Sequence, residues 1–202
     1  NFRAGVNAGN SIASGGNYNV CVGDEAGTAI STGDNNVVVG YQAGDALDAG
    51  GNNVAIGFRA LSAEDGHGTN IAIGSDTLKV QNAGANAYNI AIGHDAGKAV
   101  STGVQNTLIG GSAGLALAGG DGVVAVGFEA LMTEDGNGNS VAVGRQALRT
   151  QNAGAEAYNV AVGNGAGYNV STGVNNTLIG GLAGDALNTG SSNTAIGQHA
   201  AG

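Results

Sequence analysis

A glycine returns after every seventeen or nineteen positions along this chain, each time closing the same short phrase, Asn-apolar-Ala-apolar-Gly. The phrase reads Asn53-Val54-Ala55-Ile56-Gly57 and again Asn89-Ile90-Ala91-Ile92-Gly93. The closing glycines are Gly23, Gly40, Gly57, Gly74, Gly93, Gly110, Gly127, Gly144, Gly163, Gly180 and Gly197. Three steps of 17 and one of 19 make a block of 70, and residues 70 apart match closely. Gln81-Asn82-Ala83-Gly84-Ala85 returns as Gln151-Asn152-Ala153-Gly154-Ala155, and Glu64-Asp65-Gly66 returns as Glu134-Asp135-Gly136. Self-similarity at a short fixed period is the mark of a stacked-repeat architecture. The chain therefore reads as eleven rungs in one repetitive domain, residues 1-202, with no interdomain linker.

Each phrase is a short Val/Ile-rich run bounded by Gly and Asn, which predicts a strand. The apolar run is too short, and Gly too frequent, for a helix. Seventeen residues suit one coil of a parallel β-solenoid or β-roll, hydrogen-bonded to the next at ~4.8 Å, so eleven rungs make a rod of about 50 Å. Successive side chains of a strand point to opposite faces. Val54 and Ile56 are expected to fill the coil, which turns the other face outward. That outward column would hold Cys21, Val38, Ala55, Ala72, Ala91, Leu108, Ala125, Ala142, Ala161, Leu178 and Ala195, none of them polar. A strand dry on both faces needs cover on both sides. The second cover could be another part of the same coil or a neighbouring chain, and of the two the column is expected to be a packing face between three copies of the chain.

The remaining columns read as turns. Asn opens nine strands, from Asn19 to Asn193, where stacked amides can bond turn backbone and one another. Val123 and Ser140 break this column. The motif glycine is expected to take a backbone shape that a Cβ would forbid. The Ala three residues after it gives way once, to Thr77, which predicts a tightly packed corner.

Composition removes several classes. Gly supplies 40 of 202 residues and Pro none, yet Gly does not fall at every third position, which excludes collagen. Only 10% of residues are charged and the apolar ones cluster, which argues against disorder. The net charge of −9, with no basic run, lacks the footprint of a nucleic-acid binder. No apolar run approaches the ~18 residues of a membrane span. Cys21, the only cysteine, rules out an intrachain disulfide and is expected to be a small buried side chain.

The phrase Asn-x-Ala-Ile-Gly-x-x-Ala is similar to the head repeats of YadA-type trimeric adhesins. It resembles still more the repeats of phage tail fibres and bacterial surface fibres, often carried upstream of a self-cleaving endosialidase-type chaperone. Asn193-Thr194-Ala195-Ile196-Gly197 and Gly40-Tyr41-Gln42-Ala43-Gly44 carry the likeness, which covers essentially the whole chain. The resemblance implies a homotrimeric rod, an extracellular place on a bacterial cell or a virion tail, and attachment to a host or other surface. YadA-type rungs are shorter than the rungs of this chain, so coil cross-section and handedness do not carry over. The chain is expected to be a segment of a longer fibre.

No catalytic constellation appears, and the chain is not expected to be an enzyme. His67, His94 and His199 occupy different repeat columns. No nucleophile elbow, phosphate loop or zinc spacing occurs. No cofactor is expected beyond Ca²⁺, for which the matching acidic turns offer Asp65, Asp135 and Asn137. The two extra residues of the longer rungs fall at 81–88 and 151–158, where Tyr88 and Tyr158 would project and stack on sugars. Two functions follow: a structural shaft that presents attachment, or a carbohydrate- or surface-binding module using its outward turns. Cell-surface glycans or a surface receptor would be the partners.

Overall fold

The computed structural model describes residues 1–12 and 15–202. Among them, twelve three-residue strands line up in one parallel sheet in strict sequence order. They are β1 (Phe2–Ala4), β2 (Val20–Val22), β3 (Val37–Val39), β4 (Val54–Ile56), β5 (Ile71–Ile73), β6 (Ile90–Ile92), β7 (Thr107–Ile109), β8 (Val124–Val126), β9 (Val141–Val143), β10 (Val160–Val162), β11 (Thr177–Ile179) and β12 (Thr194–Ile196). The register places each motif residue on its copy: Val54 on Ile71, Ala55 on Ala72, Ile56 on Ile73. The all-β parallel solenoid is thus borne out, with one repeat phrase to each coil. One rung escaped the pattern: β1 has Arg3 where later rungs have an apolar residue, although Asn1 and Gly5 frame it correctly.

The two faces of the sheet are the reverse of the expectation. The column Cys21, Val38, Ala55, Ala72, Ala91, Leu108, Ala125, Ala142, Ala161, Leu178 and Ala195 lies inside the chain's own core, 0% exposed except Ala195 at 4%. It is no face between chains. The Val and Ile columns on either side point outward, half-buried or exposed, as in Ile90 and Ile92 at 36% each. The reason is the narrowness of the coil. The far wall comes so close that a strand can send only one side chain per rung inward.

What that side chain is depends on two positions of the far wall, the sixth and the ninth beyond it. Where the sixth is Gly, as at Gly27, Gly44, Gly97, Gly114, Gly167 and Gly184, the ninth is aliphatic: Ile30, Leu47, Val100, Leu117, Val170 and Leu187. The aliphatic folds back over the glycine, where an added Cβ at Gly44 would lie 2.7 Å from Leu47 Cδ1. These rungs also admit the larger strand residues Val38, Leu108 and Leu178. Where the sixth is Leu61, Leu78, Leu131 or Leu148, the ninth is a buried polar residue: Glu64, Gln81, Glu134 or Gln151. The four leucines hold left-handed φ of 46 to 51°, a costly conformation for a bulky residue, and fill the space opposite an alanine. Two rungs of each kind make one repeat block.

Every wall is hydrogen-bonded between rungs. Gly44 N donates to Ala60 O at 2.9 Å and Arg59 N to Tyr41 O at 3.0 Å, outside the sheet. The asparagine column forms the expected ladder. Asn36 Nδ2 donates to Gly50 O at 2.8 Å, and its Oδ1 accepts from Asn53 N at 3.0 Å, both on the next rung. Every motif glycine from Gly5 to Gly197 has φ between 122 and 143°. A Cβ on Gly57 would meet Gly74 O at 2.4 Å, so stacking as well as conformation demands glycine. Thr77, the odd residue in its corner, is buried and donates to Gly93 O at 2.7 Å.

Candidate functional site

The acidic turns are where buried polar chemistry meets the surface. Both leave the solenoid after a left-handed leucine, so that the next interior-facing position holds Glu64 in one block and Glu134 in the other. Each glutamate is fully buried, and each Oε1 accepts a backbone N–H from the turn, from His67 at 3.1 Å and from Asn137 at 3.3 Å. Burial pushes the Glu64 carboxyl above its ordinary pKa. The His67 backbone N–H and imidazole pull it back, and the Asp65 charge adds to the rise. Asp65 and Asp135 are exposed, and Asn137 is half-buried with its amide turned onto Glu134 Oε1 at 3.3 Å.

The structure separates the two turns. Glu64, Asp65 and His67 bring one ligand atom each to within 4.8 Å of one another, the one such group of three His, Cys, Asp or Glu side chains among the described residues. The expected candidate Asp135 joins no such group, and the Asn137 amide is taken up by Glu134. The glutamates were missed as site residues because they hide in a column elsewhere occupied by Ile30, Leu47, Val100 and Leu117. A charged residue in a column whose other members are aliphatic or, at Gln81 and Gln151, neutral amides was the available signal.

The tyrosines are placed by the sheet edge. Tyr88 and Tyr158 are 54% and 55% exposed and sit at φ 54 and 49°, immediately before their ladder asparagines. Tyr18 is a third member, 78% exposed with φ 57°, one repeat block before Tyr88. Tyr88 closes one side of a shallow hollow of about 380 Å³ lined by Asn52, Val54, Thr69, Ile71 and Ile90 on the outer sheet face. A second open hollow, of about 550 Å³, lies on another wall between Lys79, Val80, Lys98, Ala99, Leu115 and Ala116. Its lysines are occupied by Asp76 at 3.9 Å and Asp95 at 3.1 Å.

The other histidines gather nothing. His94 is largely exposed beside Asp95 at 3.4 Å, and His199 is exposed. Cys21 is buried and free, and burial raises its thiol pKa. Among the described residues no helix is long and apolar enough to cross a membrane.

These features define a parallel β-solenoid repeat protein with an unpaired apolar sheet face and two unlike copies of a buried-glutamate turn. No family model, curated protein or solved structure matches the chain.

Proposed function

We propose that the chain is a shaft or head segment of an extracellular homotrimeric fibre, on a bacterial cell or a virion tail, that mediates or presents attachment to a host or other surface. The observation that carries this reading is the outer sheet face. Its two columns run from Val20 and Val22 in β2 to Thr194 and Ile196 in β12, all Val, Ile or Thr, without one charge. A stripe about 50 Å long at the strand spacing of a solenoid is far larger than scattered surface apolar residues require, and such patches mark interaction sites. Three such stripes facing one axis would cover each other, and every rung would contribute the same contact. Self-association of the chain is the partnership proposed, and the repeat phrase's likeness to trimeric fibres supports the number three.

Light scattering on the eluted protein tests it. The expected mass is three times 19.3 kDa, about 58 kDa. Ile56→Asp with Ile92→Asp, both on the outer face, is expected to return the mass to 19.3 kDa without loss of the β signal in circular dichroism. A wild-type mass of 19.3 kDa overturns the proposal.

The hollow beside Tyr88 favours a second reading, a carbohydrate- or surface-binding module. The two readings compete for one face, because copies packed there would cover the hollow. Retention on a glycan surface by a monomeric chain, abolished by Tyr88→Ala with Tyr158→Ala, would decide for the module.

A further inference from the structure

The two acidic turns are each other's control. They occupy the same place in successive repeat blocks and share the frame Glu-Asp-Gly-x-Gly, with His67 in one and Asn137 in the other. In the second turn the buried carboxylate is fully partnered: Gln151 Nε2 donates to Glu134 Oε2 at 3.0 Å, and Asn137 Nδ2 reaches Oε1. In the first, Glu64 Oε2 is buried with no donor, and Gln81 Nε2, the counterpart of Gln151, is buried with no acceptor. His67 Nδ1 is likewise buried and unpartnered, 3.8 Å from Glu64 Oε1. The turn that carries a histidine is the turn whose glutamate lacks its hydrogen bond.

An unpaired buried carboxylate oxygen such as Glu64 Oε2 is costly, and the equally unpartnered His67 Nδ1 faces the other oxygen, Oε1, at 3.8 Å, too far for a hydrogen bond unless something positive lies between. A proton on Nδ1 would serve one pair of atoms. A cation serves Glu64, His67 and Asp65 together, and these are the three ligand atoms already within 4.8 Å. One nitrogen and two carboxylates suit a borderline divalent ion such as Zn²⁺, with water in the fourth position. Ca²⁺ takes oxygen ligands, six to eight of them, so the His67 nitrogen would count for nothing in its shell.

We propose that Glu64, Asp65 and His67 form a binding site for a divalent transition-metal cation of the Zn²⁺ class, and that the turn at Glu134 does not. The ion would clamp an exposed turn onto a buried anchor, at one point in the solenoid and on a different wall from the apolar sheet face.

Zn²⁺ titration of the whole chain by calorimetry tests this. One ion per chain is expected to bind saturably, and an excess of Ca²⁺ is expected not to displace it. His67→Asn installs the residue that the sister turn carries, so the fold should be kept, with an unchanged melting curve in metal-free buffer. It is expected to weaken Zn²⁺ binding by about tenfold or more, and the exposed change Asp65→Asn to weaken it as well. His94→Ala is expected to leave binding intact. No saturable binding by the wild type, or equal affinity in His67→Asn, overturns the proposal.

Discussion

At Ala55 and its copies a small side chain faces in and two larger ones face out, against simple hydrophobic ranking. Ranking treats a core as a volume to be filled by the largest apolar residues available. Here the space across the coil is set by the far wall, where Leu61 or Leu78 already stands, and an alanine is what remains to be fitted. Ala55→Asp would therefore strike the core of a single chain, whatever its assembly. Asp45 shows the same tightness for charge. Its carboxyl is raised above the ordinary pKa mainly by burial, with the Glu25 charge adding to the rise and the backbone N–H groups of Asp45 and Ala46 opposing it. One oxygen, Oδ1, has no partner. A carboxyl with a raised folded-state pKa favours the folded state while protonated, and that advantage is lost as pH climbs from the ordinary value through the raised one. Asp45→Asn is thus expected to melt above wild type at neutral pH, with the difference vanishing by about pH 3, below the ordinary carboxylate value. Melting curves at the two pH values check it, and an equal difference at both would refute it.

The asparagine ladder is the element that ties rung to rung, and its one apolar interruption makes it testable. Asn53 Nδ2 donates to His67 O at 3.3 Å and Asn53 Oδ1 accepts from Asn70 N at 3.0 Å. One block later Val123 occupies the same place. Its backbone N–H donates to Asn106 Oδ1 at 2.8 Å, but its side chain has nothing to offer Ser140 N or Asn137 O. Val123→Asn is expected to extend the ladder by both bonds. Gaining two hydrogen bonds at about 1 kcal/mol each outweighs part-replacement of a valine, for a net gain of roughly 1 kcal/mol. Conversely, Asn106→Ala strips the acceptor from Val123 N and the donor from Gly120 O. It is expected to cost about 1–3 kcal/mol for each group left buried and unpaired. Denaturant melts of the two variants should move in opposite directions.

Across the molecule, the four-rung block is the unit that can be removed cleanly. Each rung touches only its neighbours, so stability is close to a sum of rungs and their interfaces. Deleting residues 75–144 joins Gly74 to Arg145 and recreates every interface of the parent, with Glu64 beneath Gln151 where Glu134 was. Deleting the single rung 128–144 joins Gly127 to Arg145 and removes Glu134 and Ser140, the two acceptors of Gln151 Nε2 at 3.0 and 3.2 Å. A buried amide then rests on Leu117. The shorter deletion is expected to melt at the lower temperature although it keeps more of the chain. The opposite order would show that the rungs are interchangeable and the four-rung block carries no packing code.

By itself the sequence determined the period, the parallel stacking, the asparagine ladder and the demand for glycine, because each depends on a residue meeting its own copy one coil later. Asn36 above Asn19, or Gly57 beneath Gly74, needs no knowledge of the coil's cross-section. Only the tertiary structure decided which face of the strand is inside, because that depends on how near the far wall comes. For the same reason it alone revealed that Glu64 and Glu134 are core residues. Their burial is set by Leu61 and Leu131, on the wall across from the strand's central alanine, and a column of matching letters does not show that one glutamate has its partner and the other lacks it.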